Sequence, residues 1–153
     1  GRYGNIEDAR RQIAEIHAGD AEWSRSRGKS YLPVIFPGFS WSNLMRSRGK
    51  DVPLNSIPRQ QGRFYWEQAV ARIRAGAEML YVAMFDEMDE GTAIFKSANT
   101  VPAGTLPFAT FEGMPADHYL WLTGQVRRTL RGEVSLSDSV PGREPDRSGK
   151  AGN

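Results

Sequence analysis

Residues 79–92 read Met-Leu-Tyr-Val-Ala-Met-Phe-Asp-Glu-Met-Asp-Glu-Gly-Thr: seven apolar residues, then four carboxylates within five positions. A short apolar run that ends at a polar cluster is typical of a strand buried on both faces, as in a parallel sheet. Residues 31–36, Tyr-Leu-Pro-Val-Ile-Phe, form a second such run, which Pro37 and Gly38 end. Residues 108–111, Phe-Ala-Thr-Phe, predict a third, weaker strand.

Three further segments have helical spacing. Apolar residues recur with a period near 3.6 over residues 6–27, 61–77 and 115–131, and Gly19-Asp20 predicts a break in the first helix. A polar loop is expected from residue 37 to residue 60. The alternation of strands and helices predicts an α/β fold with a parallel sheet. About three βα units form either a small sheet covered by helices or the last third of a (β/α)8 barrel, a TIM-type barrel.

Composition excludes several classes of function. The 153 residues suffice for one domain, and 39% hydrophobic with 25% charged residues is typical of a globular protein. No apolar run reaches the roughly 18 residues that membrane insertion needs. A net charge of +2 gives no argument for a nucleic-acid partner. The absence of cysteine and the wide separation of His17 and His118 argue against a metal site, so neither metal nor cofactor is expected.

The acidic cluster is the strongest candidate for chemistry, because loops at the carboxyl ends of parallel strands carry the active sites of α/β folds. Glu87 and Glu90 are three residues apart, so one helical turn would put their Cβ atoms roughly 5–6 Å apart on one side. Carboxyl groups about 5 Å apart suit retaining glycoside hydrolysis. The same cluster is equally typical of a solvated loop or a helix N-terminus. A calcium loop fits badly, because Met88 would occupy a ligand position.

Other residues are candidates for ligand contacts. Trp41 and Asn43 follow the first predicted strand, and an aromatic face with a nearby amide suits a sugar ring. Arg59 precedes the second helix, where it could clamp a polar ligand or pair with the acidic cluster. Of the consecutive aromatic residues 64–66, which include Tyr65, at least one should face away from the core. Each of these residues also has a purely structural interpretation, as packing or ion-pair residues.

Three stretches resemble the C-terminal part of bacterial glycoside hydrolase family 71/99-like proteins. These proteins are relatives of the family 99 endo-α-mannosidases, and some are labelled xylosidase/arabinosidase. The stretches are residues 31–44, residues 57–66 and residues 81–96, and the likeness extends over about residues 20–143. The stretch Phe-Asp-Glu-x-Asp-Glu-Gly-Thr, which begins at Phe85, is the most specific part.

The resemblance implies a (β/α)8 barrel with its site at the carboxyl ends of the strands. It further implies that this chain is the last part of a larger barrel. In family 99 the motif is Glu-Trp-x-Glu-Gly, which Glu87, Glu90 and Gly91 match. The first Glu acts there as base on the sugar 2-hydroxyl, and the second is the general acid/base. Two positions depart from the family: Met88 stands where it has Trp, and Asp86 stands where it usually has Asn.

These observations lead to one main expectation and two alternatives. The resemblance implies a glycosidase for an α-linked glycan, with residues 1–136 as a partial barrel domain and 137–153 as a polar, largely disordered tail. Asp86, Trp41, Asn43, Arg59 and Tyr65 would contact the substrate. The alternatives are a non-catalytic carbohydrate-binding relative and a small independent α/β domain. The chain begins with Gly and shows no leader, but the resemblance implies a periplasmic or secreted protein.

The missing part of the barrel leads to one more expectation. Three strands of a barrel leave two unpaired edges, which favour aggregation. The isolated 153-residue chain should therefore be inactive and poorly folded.

Overall fold

The computed structural model describes residues 3–98, 104 and 106–143. This part of the chain has a mixed α/β fold. A short 3-10 turn, Gln60–Gly62, precedes the third helix. The elements follow in the order α1 (Ile6–Arg25), β1 (Val34–Ile35), α2 (Ser42–Ser47), α3 (Arg63–Arg74), β2 (Tyr81–Val82) and α4 (His118–Leu130).

The first helix begins at a capping residue and is held by one apolar side. The side chain of Asn5 accepts a hydrogen bond from the main-chain nitrogen of Asp8 at 2.8 Å, which is the usual N-cap contact. Ala9, Ile13 and His17 then lie one helical turn apart and are buried. The predicted break at residues 19–20 is wrong, because the helix runs continuously through them to Arg25.

The sheet consists of two parallel strands with α3 between them in sequence. Val34 lies opposite Tyr81 and Ile35 opposite Val82. On the outer edge of β1, the Gln68 side chain accepts a hydrogen bond from the Phe36 nitrogen at 3.3 Å and donates one to the Phe36 oxygen at 2.8 Å. A buried helix residue thus takes the hydrogen-bonding position of a neighbouring strand beside Phe36.

One face of this sheet is packed and the other is partly open. Ile35 lies in the main core cluster, with Val82 packed against it, beneath α3 and α4. On the other face Tyr81 is 43% exposed. The remaining buried members of the main cluster are Tyr65, Trp66, Ala69, Val70, Ile94, Tyr119, Leu122 and Val126.

The α1–α3 contact contains a buried cation. Arg72 lies 7% exposed, and it donates hydrogen bonds to the Tyr3 hydroxyl at 3.1 Å and to the Tyr31 hydroxyl at 3.4 Å. The same guanidinium lies 3.2 Å from Nδ1 of His17. Because Arg can only donate, this ring nitrogen acts as the acceptor and the imidazole is neutral. We call this group of four residues the Arg72 cluster.

Several sequence predictions differ from the structure. The sequence predicts strands over residues 31–36 and 79–85. In the structure, β1 and β2 each contain only two paired residues of these segments. The predicted third strand at 108–111 is wrong, because that segment has no regular structure. Helix α2 interrupts the expected loop of residues 37–60.

The predicted tail also differs at its start. Trp66 donates a hydrogen bond to the Ser137 oxygen, and Asp138 forms an ion pair with Arg74. Residues 137–143 are therefore attached to the domain, whereas residues 144–153 of the predicted tail lie outside the described residues. Within the described ranges no helix is both long and apolar enough to cross a membrane.

Candidate functional site

The acidic cluster lies in a closed loop that follows β2, which we define as residues 85–95 and call the acidic loop. The oxygen of Phe85 accepts hydrogen bonds from the nitrogens of residues 94 and 95, and the oxygen of Glu87 accepts from residues 92 and 93. A turn between Met88 and Gly91, closed by a 3.1 Å hydrogen bond, forms the tip. The expected helical arrangement of Glu87 and Glu90 is thus replaced by a turn, with Glu87 before it and Glu90 within it.

The four acidic side chains differ in exposure. Glu87 and Glu90 are half-buried, whereas Asp86 and Asp89 are exposed. An oxygen of the Glu87 carboxylate accepts a hydrogen bond from the main-chain nitrogen of Asp89 at 3.2 Å. Among the described residues, none of these four carboxylates has a cationic side chain within 4.0 Å. Their charges are therefore not neutralised by an ion pair of the described fold.

The loop that follows β1 lies directly against the acidic loop. The nitrogen of Ser40 donates a hydrogen bond to the oxygen of Glu90 at 2.7 Å. Gly91 has φ +63°, and a Cβ atom there would lie 3.1–3.3 Å from atoms of Ser40. The glycine permits both this backbone conformation and this close approach. The two loops that the sequence indicated as candidate site walls are therefore in contact.

Arg59 also contacts the acidic loop. It is 4% exposed, and its Nη2 donates hydrogen bonds to the oxygens of Gly91 and Ala93, both at 2.8 Å. The guanidinium carbon lies 4.8 Å from the ring centre of Phe111 and 4.4 Å from that of Tyr119. Burial lowers the pKa of Arg59 from its ordinary value and raises the pKa of Tyr119 to about 12. The main contacts of Arg59 are thus with the protein's own chain.

A cavity of about 490 Å³ lies beside the acidic loop, within the size range of small-ligand pockets. The side chain of Asn43 lies in its wall, where Nδ2 donates to the Pro107 oxygen at 3.0 Å and Oδ1 is buried without a hydrogen-bond partner among the described residues. The wall is mostly apolar and comprises Ser40, Asn43, Leu54, Arg59, Met88, Asp89, Gly91, Ala93, Phe95, Ser97, Ala98, Phe108, Ala109, Thr110, Phe111, Gly113 and Met114.

The remaining candidates lie elsewhere. Neither Glu87 nor Glu90, nor Asp86, belongs to the described part of the cavity wall. Trp41 is 39% exposed and packs against Phe39, with ring centres 5.6 Å apart, outside this wall.

Tyr65 is fully buried in the core and has no surface with which to touch a ligand. Its hydroxyl lies 2.9 Å from that of Thr123, and burial raises the pKa of this phenol. The tyrosine thus serves the packing of α3 against α4.

Two parts of this region could not be recognised from the sequence. Segment 106–114 was expected to contain a strand but instead supplies Phe108 and Phe111 to the cavity wall. The only sequence signal is its aromatic content next to Pro107 and Gly113. The main-chain contact of Ser40 leaves no signal in the sequence, because every residue type except proline has the same N–H donor. Within the described residues no group of three or more His, Asp or Glu side chains is placed to hold a metal ion.

The fold is similar to that of a solved glycosidase, although no family model and no curated protein matches the sequence. Two of the similar structures are those of the GH99 endo-α-mannosidase from Bacteroides thetaiotaomicron. Its complex with bis-tris-propane superposes with a TM-score of 0.63 at 21% identity over 75% of this chain. A second structure of the enzyme gives 0.60 at 20% identity. The present chain spans about a third of that enzyme, 34% and 32% of the two solved chains.

Proposed function

We propose that this protein is a retaining glycoside hydrolase for an α-linked glycan, with Glu87 and Glu90 as its catalytic pair. The observation that carries the proposal is the position of the acidic loop. It begins just after β2, and it is hydrogen-bonded to the loop that follows β1. Active sites of α/β enzymes lie at this end of parallel strands. The similarity of the fold to a GH99 endo-α-mannosidase supports the same reading.

The proposed catalytic domain is larger than the present chain. The two strands would belong to a (β/α)8 barrel, of which residues 1–136 form the last units. The parallel pairing of β1 and β2 and the helix-covered face with Ile35 and Val82 fit such a barrel. The open face, with Tyr81 43% and Leu32 49% exposed, would be the side that faces the barrel interior. A chain that spans 34% of the similar enzyme fits this assignment.

The mechanism follows the resemblance to family 99. Glu87 would remove the proton from the sugar 2-hydroxyl, whose oxygen attacks the anomeric carbon, while Glu90 protonates the leaving oxygen. Glu90 would then take a proton from water, the water oxygen would open the 1,2-anhydro ring at the anomeric carbon, and Glu87 would return its proton to O2. Two displacements at one carbon leave its configuration unchanged. Trp41, Asn43 and Asp86 are the proposed substrate contacts, with Asn43 in the cavity wall.

The test replaces each carboxylate by the isosteric amide in the full-length protein. Glu87→Gln and Glu90→Gln should each lower turnover of an α-mannan or α-glycan substrate by about 10²–10⁴-fold, because each removes a proton-transfer group. The melting temperature should stay unchanged. Glu78→Gln, which changes an exposed carboxylate ahead of β2, is the control and should leave turnover unchanged. Full activity in either of the first two variants would refute the assignment.

One observation favours a second candidate, a non-catalytic carbohydrate-binding protein. The described cavity wall contains Asn43, Met88 and Asp89 but neither proposed catalytic carboxylate. A ligand in this cavity would therefore be bound without contacting them. Calorimetric binding of a glycan, with no reducing ends released during long incubation, would support this candidate over the enzyme.

A further inference from the structure

We infer that Arg59 is a positioning residue that fixes the main chain around Glu90, an inference that rests on the proposed function. From the sequence, Arg59 was expected either to contact a ligand or to pair with the acidic cluster. The structure instead gives its Nη2 two acceptors within the protein, the oxygens of Gly91 and Ala93, each at 2.8 Å. Gly91 directly follows Glu90, so these contacts act on the peptide units beside the proposed general acid/base.

The main chain at Glu90 is thereby held from two directions. The nitrogen of Ser40 contacts the Glu90 oxygen at 2.7 Å, and Arg59 contacts the next carbonyl along the chain. Catalysis by a carboxylate requires it to remain within a fraction of an ångström of its productive position. Two fixed carbonyls in succession restrict the peptide rotations through which the Glu90 side chain could move.

An arginine is better suited to hold these carbonyls than a buried residue of another type. Its planar guanidinium lies over the rings of Phe111 and Tyr119, and its Nη2 donates to two carbonyls at once. Among the described residues it forms no ion pair. A buried cation without a carboxylate partner is a costly way to obtain stability alone, since apolar residues of similar volume often do as well. Its position against the acidic loop supplies a functional reason for that cost.

The stem of Arg59 is itself fixed by the loop after β1. A Cβ atom at Gly38 would lie 2.7 Å from Cγ of Arg59 and 2.8 Å from the oxygen of Ile57, so glycine is required for this approach. Phe39 and Ile57 pair beside it through two main-chain hydrogen bonds of 2.9 Å. Arg59 therefore connects the acidic loop with the loop that follows β1.

The experiment compares two lysine variants of buried arginines in the full-length protein. Arg59→Lys keeps the charge but removes the planar contact with the rings, and its side chain, one atom shorter, withdraws the donor from the two carbonyls that Nη2 reaches. Arg72→Lys is the matched control, because Arg72 is buried to a similar degree and lacks an ion pair among the described residues, yet it lies in the α1–α3 contact. Both variants are measured for melting temperature, for amide hydrogen exchange in residues 40 and 91–95, and for kcat and KM.

We expect both variants to lose stability and only Arg59→Lys to disturb the site. Exchange at residues 40 and 91–95 should rise roughly tenfold beyond the global change, as local opening allows. The kcat should fall by about a hundredfold, the effect of a displacement near 1 Å, with KM little changed. A raised KM with unchanged kcat would make Arg59 a substrate contact and overturn the inference. An equal loss of kcat in Arg72→Lys would also overturn it.

Two further outcomes remain informative. If Arg59→Lys does not fold, Phe111→Leu removes one ring from the guanidinium and should change exchange and kcat in the same direction but less; no change in either measurement would contradict the inference. If the unaltered protein hydrolyses no glycan, the proposed function fails. The exchange comparison then decides separately whether Arg59 fixes the acidic loop, and equal exchange in both arginine variants refutes that role.

Discussion

In the described part of the chain an arginine is buried in two regions, and the two regions compensate the charge differently. In the Arg72 cluster the partners are side chains, two phenol hydroxyls and an imidazole contributed by separate segments of the chain. At the acidic loop, the partners of Arg59 are main-chain carbonyls and ring faces. Side-chain partners fix how a helix packs, whereas carbonyl partners fix the path of a loop. The α1–α3 region should therefore control stability, and the loop region should control the site.

The largest expected effect tests whether the α1–α3 region controls stability. Ile13 on α1 is 1% exposed and lies in the second core cluster, so Ile13→Ala should lower the free energy of unfolding by about 2–5 kcal/mol. Ile16 on the same helix is 49% exposed. Ile16→Ala is therefore the matched control and should cost less than about 1 kcal/mol. Urea denaturation of the full-length protein measures both.

The contrast between the two regions would fail if Ile13→Ala also changed the conformation of the acidic loop. Amide exchange in the acidic loop should follow only the global loss of stability in Ile13→Ala. A selective increase at residues 91–95 would mean that the helical region also sets the loop's conformation.

The next effect concerns Gly91 in the loop. Gly91→Ala combines strain from φ +63° with crowding against Ser40, and should cost about 1–3 kcal/mol locally. Gly49→Ala is the control, because Gly49 has φ +71° but no atom within 4 Å of the added carbon. Amide exchange at Ser40 should rise in Gly91→Ala alone. Equal behaviour of the two variants would show that strain, rather than the contact with Ser40, determines the effect.

The smallest effect is a pH dependence that belongs to the Arg72 cluster. Burial first, and the nearby Arg72 second, lower the pKa of His17 below its ordinary value, although Asp20 acts in the opposite direction. Below a pH of about 6.5 the unfolded chain therefore binds a proton that the folded chain does not. The contribution is complete above the unfolded pKa and is lost as the pH falls below it. Stability should decrease on acidification from neutral pH.

A substitution identifies the residue responsible. His17→Asn keeps an acceptor for Arg72 without a titratable ring, and should reduce the slope of unfolding free energy against pH between about pH 7 and 5. Burial also lowers the pKa of His118, so part of the slope should remain. An unchanged slope in His17→Asn would show that the cluster does not sense pH.

Part of the fold follows from local sequence patterns. The spacing of Ala9 and Ile13 predicts α1, because the helical period is a local property. The strands were overestimated, since an apolar run such as residues 79–85 records burial and not the number of paired residues. The segment 108–111 has strand-like composition, but its aromatic side chains line a cavity, an arrangement decided by distant parts of the chain.

The position of the candidate site could be predicted from the sequence, but its contacts could not. The sequence indicated that the acidic cluster and the loop with Trp41 follow two strands, and the structure joins these loops through Ser40 and Glu90. It could not show that Arg59 donates to carbonyls, because main-chain partners carry no sequence signal. Tyr65 was expected among the ligand contacts, yet its position on α3 between two core residues buries it.

The side-chain amide of Gln68 has a consequence for self-association. The outward-facing nitrogen and oxygen of Phe36 are already hydrogen-bonded to Gln68. A foreign peptide therefore cannot add a strand to the edge of the sheet at Phe36. A further strand docking on that border of β1 has to form its ladder through Val34 and earlier residues. The side chain of Gln68 thus blocks strand addition at Phe36, whereas its contacts do not extend to Val34.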